Sequence, residues 1–359
     1  MLNAPSTVSD RAPRLARLDG LRGVAAFGVA LHHMFYYMGG WPLAPVPLRW
    51  MTDWLWTSGW SLVDLFFLLS GAVFTHVYGA PGQLKSASAL GDFWVARVAR
   101  LWPLHLVMLG FFALFAWGEP AHDGPHFLAH LLMLQGFVAP VVRSFDNAAW
   151  SLTIELTCYA IFCLASWLGG RRGGWIVGLS WGAGLWWCAM VGQPGGPWVA
   201  DALPRGLLGF FGGMLLWRNH RHLERVPTAI WGLLAMAGFW WQVGDYSPLV
   251  PLGLLVWPSL LMLALRFPLM EARLMLWLGE RSYGIYLVNM GVIRALRSVL
   301  PLAQLERPMM LLVQLLAAGL ILVLADAAYR LVEVPSRRMI RARWSAWRTG
   351  FATGREQMA

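Results

Sequence analysis

The run Leu18-Asp-Gly-Leu-Arg22-Gly-Val-Ala-Ala-Phe-Gly-Val-Ala-Leu-His32-His33 opens the first apolar stretch of the chain. It places an arginine and a histidine eleven residues apart. Eleven residues of α-helix make three turns with an overshoot of roughly 20° and a rise of roughly 16 Å. Arg22 and His33 therefore share one stripe of one helix, and His32 is rotated off it by about 100°. Ionisable side chains inside an apolar span are costly and point to function.

Comparable runs recur through all 359 residues, which are 58% hydrophobic and only 13% charged. Soluble domains carry about a quarter charged residues. The predicted fold is all-α: a polytopic membrane protein with about ten transmembrane helices around a central channel and no soluble domain. Spans are expected near 18–38, 60–79, 99–118, 150–169, 174–192, 203–217, 228–244, 249–265, 279–299 and 309–332. The alternating ten-residue signature of an outer-membrane barrel is absent. A basic cytoplasmic arm (1–17), a transmembrane domain (18–335) and a basic cytoplasmic tail (336–359) follow from this division. The polar arm runs into a full-length span with no cleavage-site pattern, so no cleavable leader is expected.

The net charge of +10 does not imply nucleic acid, because the basic residues gather at the two ends and in short loops. That is the positive-inside pattern of a protein whose partners are membrane lipids. The apolar piece 127–141 is short for a span. If it does not cross, Arg49, Arg143, Arg205, Arg294, Arg297 and Arg307 face outward, and the other 22 of the 28 basic residues, with both termini, face the cytoplasm. If it crosses, the bias weakens. Residues 119–149 are therefore read as an outer segment with a re-entrant or interfacial piece.

On this topology His33, Asp64 and Glu155 come to similar depth from three helices. An imidazole oriented by a carboxylate is a general-base arrangement; a structural polar cluster bridging helices is the other reading. Arg97 and Arg100, three residues apart, share a helix face at the cytoplasmic start of the third span. They suit phosphate binding or serve as topology signals against headgroups. Ser282, Tyr283, Tyr286 and Asn289 form a polar stripe that lines a cavity or a helix seam. His122, His126 and His130 recur at four-residue steps, a spacing that can hold zinc, but a wet interfacial face is the reading preferred and no metal is expected. Cys158, Cys163 and Cys188 read as small buried hydrophobes.

Taken in order, Asp19-Gly-Leu-Arg22 with His33, Val-Asp64-Leu-Phe-Phe with Ser70-Gly71, Arg97-x-x-Arg100, Trp150-Ser-Leu-x-x-Glu155, Ser282-Tyr283-x-x-Tyr286-Leu287 and Glu333-x-Pro335 resemble the motifs of the membrane acyltransferase family 3. The likeness covers about residues 15–340. It implies a ten-helix core in a bacterial inner membrane that moves acyl groups, often acetyl from coenzyme A, onto sugars or related acceptors. It also implies that Arg22 and His33 are the family's essential pair and that Arg97 and Arg100 bind the donor. The family's serine–tyrosine block is commonly followed by histidine; here that position is Asn289, which hydrogen-bonds but cannot shuttle a proton.

The expected function is transfer of an acyl group, acetyl foremost, from cytoplasmic acyl-CoA to a hydroxyl of a glycan, glycolipid or related acceptor. His33 is the expected general base and Asp64 or Glu155 its orienting carboxylate. Arg22, too far along the helix to reach the carbonyl at His33, joins Arg97 and Arg100 on the donor. Trp150, Ser151, Tyr283, Tyr286 and Asn289 are expected to line the substrate site. No tightly bound cofactor is implied. The alternative is a transporter or flippase of a lipid-linked saccharide, using the same charges as a path lining.

Overall fold

The computed structural model, which describes residues 8–39, 46–80, 82–137, 144–191, 201–241 and 247–356, is built of helices. Arg143 and the first seven residues of the basic arm lie outside these. The helices are α1 (Val8–Met38), α2 (Val46–Ser58), α3 (Leu62–Tyr78), α4 (Ala87–Ala116), α5 (Gly124–Leu131), α6 (Trp150–Leu168) and α7 (Gly170–Met190). After them come α8 (Ala202–Arg218), α9 (Thr228–Trp240), α10 (Leu249–Ala264), α11 (Arg273–Val299), α12 (Arg307–Ala328) and α13 (Val334–Glu356). The described residues contain no strand. Four helical stretches, Arg49–Tyr78, Ala87–Ala116, Asn147–Leu168 and Arg307–Thr349, are long and apolar enough to cross a membrane.

Contacts fix the directions of the central helices. Gly23 meets Leu278 and Gly279, and His33 meets Asn289, so α1 and α11 run parallel. Leu101 pairs with Tyr283 and Met108 packs on Gly291, so α4 runs the same way. Leu62 packs on Gly28 and Gly59, three residues earlier, on His32, which turns α3 against α1. Trp150 packs on Phe67 and Tyr159 on Phe74, so α6 follows α3. Gly209 and Gly213 meet Phe67 and Leu68, so α8 follows it too. Because α4 and α6 oppose each other, the chain between them returns to the side it left. Its one long helical piece, α5, has eight residues and a length of about 12 Å, too short to cross.

Two seams depend on missing side chains. A Cβ on Gly279 would stand 2.2 Å from the Asp19 carbonyl oxygen, and one on Gly213 2.0 Å from that of Leu68. Small residues of this kind let helices approach where lipid supplies no hydrophobic drive. The first seam holds Arg22 and His33 beside α11; the second holds Asp64 beside α8. Phe74, Phe93, Tyr159, Phe162 and Phe210 pack into an aromatic core between α3, α4, α6 and α8.

Candidate active site

A cavity of about 730 Å³, counting its open part, lies between α1, α3, α4, α6 and α11. Arg22, Arg97 and Arg100 line it, with Glu155 its only carboxylate. Arg22 bonds Asp19 at 2.7 Å one turn back on its own helix. The Arg97 guanidinium lies over the Phe74 ring at 5.1 Å and reaches the Tyr78 hydroxyl at 3.4 Å. Among the described residues neither Arg97 nor Arg100 has a carboxylate within ion-pair distance. Guanidiniums outnumber carboxylates in this lining, and Arg97 Nε is buried with no hydrogen-bond partner among the described residues, an arrangement that can take an anion.

The rest of the polar lining gathers around that carboxylate. Glu155 Oε1 accepts from the Tyr159 hydroxyl and from Ser70 Oγ at 3.4 Å. Ser151 and Tyr286 close the far end. The Tyr286 hydroxyl donates to the Ala148 carbonyl at 2.6 Å and accepts from Ser151 Oγ at 2.9 Å. Tyr283 is tied to the Leu101 carbonyl, where α4 passes α11. Trp150, expected in the substrate site, lies against the Arg205 guanidinium and meets the Phe67 ring edge-on.

His33 is not among the residues that line this cavity. It stands one α11 turn beyond Tyr286, with Nδ1 2.7 Å from Asn289 Oδ1. Asn289 spends both amide hydrogens on the carbonyls of Ile285 (3.0 Å) and Tyr286 (2.6 Å). Its oxygen must therefore face His33, and Nδ1 must be the protonated nitrogen. Nε2 is left with its lone pair and, among the described residues, has no hydrogen-bond partner. His32 does something else: its Nδ1 donates to the Leu55 carbonyl at 2.8 Å and pins α2 to α1.

The expectation that Asp64 or Glu155 orients His33 is corrected. Asp64 is buried against Arg205, with Oδ1 2.8 Å from Nε and Oδ2 3.2 Å from Nη2. The Arg205 guanidinium is sandwiched between the rings of Trp60 (4.9 Å) and Trp150 (4.8 Å). Similar depth along three helices did not bring three side chains together, because depth leaves the rotation of each helix open. Ser70 and Tyr159 were missed as cavity residues, and Arg205 as the partner of Asp64. Arg205 stands in an apolar run, the same signal that picked out Arg22, and Tyr159 lies at the i,i+4 position from Glu155.

The histidines of the outer segment also depart from expectation. His122 and His130 are buried against Phe145 rather than wetted, and His126 pairs with Asp123. No group of metal-ligating side chains occurs among the described residues. The three cysteines are buried and free.

Comparison with known proteins assigns the class. The family model for an acyltransferase domain, acyltransferase family 3, matches residues 15–330, and the chain belongs to that family of membrane acyltransferases. It is 32% identical over 169 residues to "Protein 2 in picA locus" of Rhizobium radiobacter, covering 42% of this chain and 81% of the relative. It is 24% identical over 372 residues to the peptidoglycan O-acetyltransferase OatA of Listeria monocytogenes, covering 89% of this chain and 55% of that protein. The acyltransferase MdmB of Streptomyces mycarofaciens is 28% identical over 195 residues, with 50% and 44% covered. The chain thus spans about half the length of the latter two relatives. No solved structure matches.

Proposed function

We propose that this protein transfers an acyl group, acetyl foremost, from cytoplasmic acyl-CoA to a hydroxyl of a glycan or glycolipid. The observation that carries the reading is the arginine cavity lying one α11 turn from a histidine whose tautomer is set by Asn289. Arg97 and Arg100 hold the donor's phosphates and Arg22 steadies its arm. Glu155, Ser70 and Tyr159 supply hydrogen bonds to the arm's amides. Arg22 and His33 are separated by about 16 Å of helix, which the extended arm spans, passing Ser151 and Tyr286.

At His33, Nε2 takes the proton of the acceptor hydroxyl as its oxygen attacks the thioester carbonyl. The C–O bond forms and the C–S bond breaks. The imidazolium then returns the proton to the departing thiolate. Asn289 Oδ1 accepts from Nδ1–H throughout and steadies the charged ring. The reaction so written needs no further cofactor.

Ten spans with both termini cytoplasmic, in a bacterial inner membrane, complete the proposal. The opposed directions of α4 and α6 and the eight-residue α5 support it; reporter fusions reading the two termini on opposite sides would overturn it. The donor is tested by calorimetry of acetyl-CoA with purified protein. Two charge-assisted contacts of about 1.5–3 kcal/mol each are at stake. The Arg97→Ala/Arg100→Ala variant should therefore bind at least about tenfold more weakly. Equal affinity would reduce the pair to topology signals.

A further inference from the structure

His33 divides the seam between α1 and α11. Arg22 lies on one side of it; on the other stands a polar cluster with no part in holding the donor. Tyr37 is one turn beyond His33 on the same helix face, and the two rings lie 6.3 Å apart. Arg297 is two turns beyond Asn289 on α11, and its guanidinium lies over the Tyr37 ring at 5.5 Å. The parallel course of α1 and α11 thus follows the His33–Asn289 pair with a Tyr37–Arg297 pair, at the end away from Arg22. Asn147, in the turn that enters α6, donates its amide to the Tyr37 hydroxyl at 3.3 Å. Tyr36 meets the Tyr37 ring edge-on at 5.1 Å.

The cluster is held in place but not satisfied. Arg297 is exposed and has no carboxylate within ion-pair distance among the described residues, whereas Arg294, one turn earlier, is neutralised by Glu119. The Tyr37 hydroxyl accepts from Asn147, and among the described residues its own proton has no acceptor. Packing on the ring orders the guanidinium ahead of any ligand and so lowers the cost of binding one. A guanidinium ordered beside a phenol O–H and an amide matches an anionic group set among hydroxyls. The ring-to-ring and ring-to-guanidinium distances place that charge within one or two sugar units of the imidazole. The donor's arm comes to His33 from the Arg22 side, which leaves this side for the acceptor.

We infer that Tyr37, Arg297 and Asn147 form the acceptor subsite, and that it takes a saccharide with a carboxylate or phosphate on the acylated sugar or the next one. The inference rests on the acyl-transfer reading above and adds to it the charge of the acceptor. Arg297 binds the anion. Tyr37 and Asn147 bond the neighbouring hydroxyls and set the reacting one against His33 Nε2.

The test starts from membranes that hold the full chain and the source cell's own glycans. Labelled acetyl-CoA is added and the products are separated by anion exchange; the label should be retained as an anionic saccharide. Freed of acetyl by mild base, that saccharide becomes the acceptor for the purified chain. Loss of a charge-assisted contact should raise the acceptor KM about tenfold or more in Arg297→Gln, with kcat and acetyl-CoA affinity within about twofold. Arg297→Lys should recover part of the loss. Arg307→Gln removes another exposed arginine that has no carboxylate partner among the described residues, and should leave KM unchanged. Arg297 is exposed, so its replacement spares the core, and circular dichroism checks this. Label on a neutral saccharide, or equal KM in wild type and Arg297→Gln, overturns the subsite and leaves acyl transfer standing. Equal losses in Arg297→Gln and Arg307→Gln, or label recovered in phospholipid, would make Arg297 a headgroup contact and overturn the subsite. A wild type that binds acetyl-CoA but labels no saccharide overturns the acyl-transfer reading with it.

Discussion

Asn289 and His33 meet at 2.7 Å across the seam of two parallel helices, and the amide chooses the imidazole's tautomer. The choice is forced, because a flipped amide would press its oxygen against the Ile285 and Tyr286 carbonyls and aim an N–H₂ at His33. A carboxylate partner would raise the ring's basicity. A neutral amide orients it without adding charge to an apolar surrounding.

The first prediction follows from that pair. Asn289→Leu puts an apolar side chain of similar size at a fully buried position and frees the tautomer. Acyl transfer should fall by about 10²-fold or more, toward the loss of a general base. Acetyl-CoA affinity should stay within about twofold, since Asn289 does not line the arginine cavity. Single-turnover transfer of labelled acetyl, with calorimetry on the same preparations, reads both quantities. A loss of donor binding that matches the loss of rate would make Asn289 a donor contact instead.

The adjacent histidines should separate cleanly. His33→Ala should lower transfer by about 10²–10⁴-fold with donor binding retained. His32→Ala removes the bond to the Leu55 carbonyl, a buried contact worth about 1 kcal/mol. Its effect should appear in thermal stability and around α2 rather than in the chemical step. Transfer measured at matched protein levels decides between them; robust transfer by His33→Ala would move the active face to the other side of α1.

The sequence carried the Arg22–His33 stripe, the Arg97–Arg100 face and nearly every helix, because those depend on spacing within a single segment. Partner choice across segments was not readable. Asp64 finds Arg205 at a separation of 141 residues, and no local pattern says which helix turns which face toward it. Asn289 was legible as a departure from the family pattern, but not as the neighbour of His33, since that depends on the parallel register of α1 and α11.

Asp64 and Arg205 should behave as a structural pair. Removing one partner strands a buried charge, which typically destabilises by about 3–5 kcal/mol. Arg205→Leu should lower the unfolding temperature sharply, and Asp64→Leu/Arg205→Leu should recover part of the loss, as both charges then go together. Transfer per folded molecule in the double variant should fall far less than in His33→Ala. Chemical inactivity of the double variant at full stability would return Asp64 to the catalytic group.

Asp146 gives the protein a pH dependence with a definite sign. It sits at the turn entering α6, fully buried, with Oδ1 capping Ala148 N–H at 3.1 Å and Oδ2 without a hydrogen-bond partner. Burial pushes its carboxyl up to about 8, against the opposing pull of the Ala148 N–H. In the unfolded chain the group titrates near about 3.9. Between those values the folded form keeps a proton that the unfolded form has lost, so stability falls as pH rises and levels off above about 8. The same turn anchors Tyr286 through the Ala148 carbonyl and Tyr37 through Asn147, so its loosening reaches the lining of the arginine cavity. Asp146→Asn keeps a capping oxygen and removes the titration. The wild-type unfolding temperature should drop by a few degrees from about pH 5 to about pH 8. The variant should stay flatter and overtake wild type at the alkaline end. Thermal unfolding of the detergent-solubilised chain across that range checks this, and parallel curves for the two proteins would assign the pH dependence to another group.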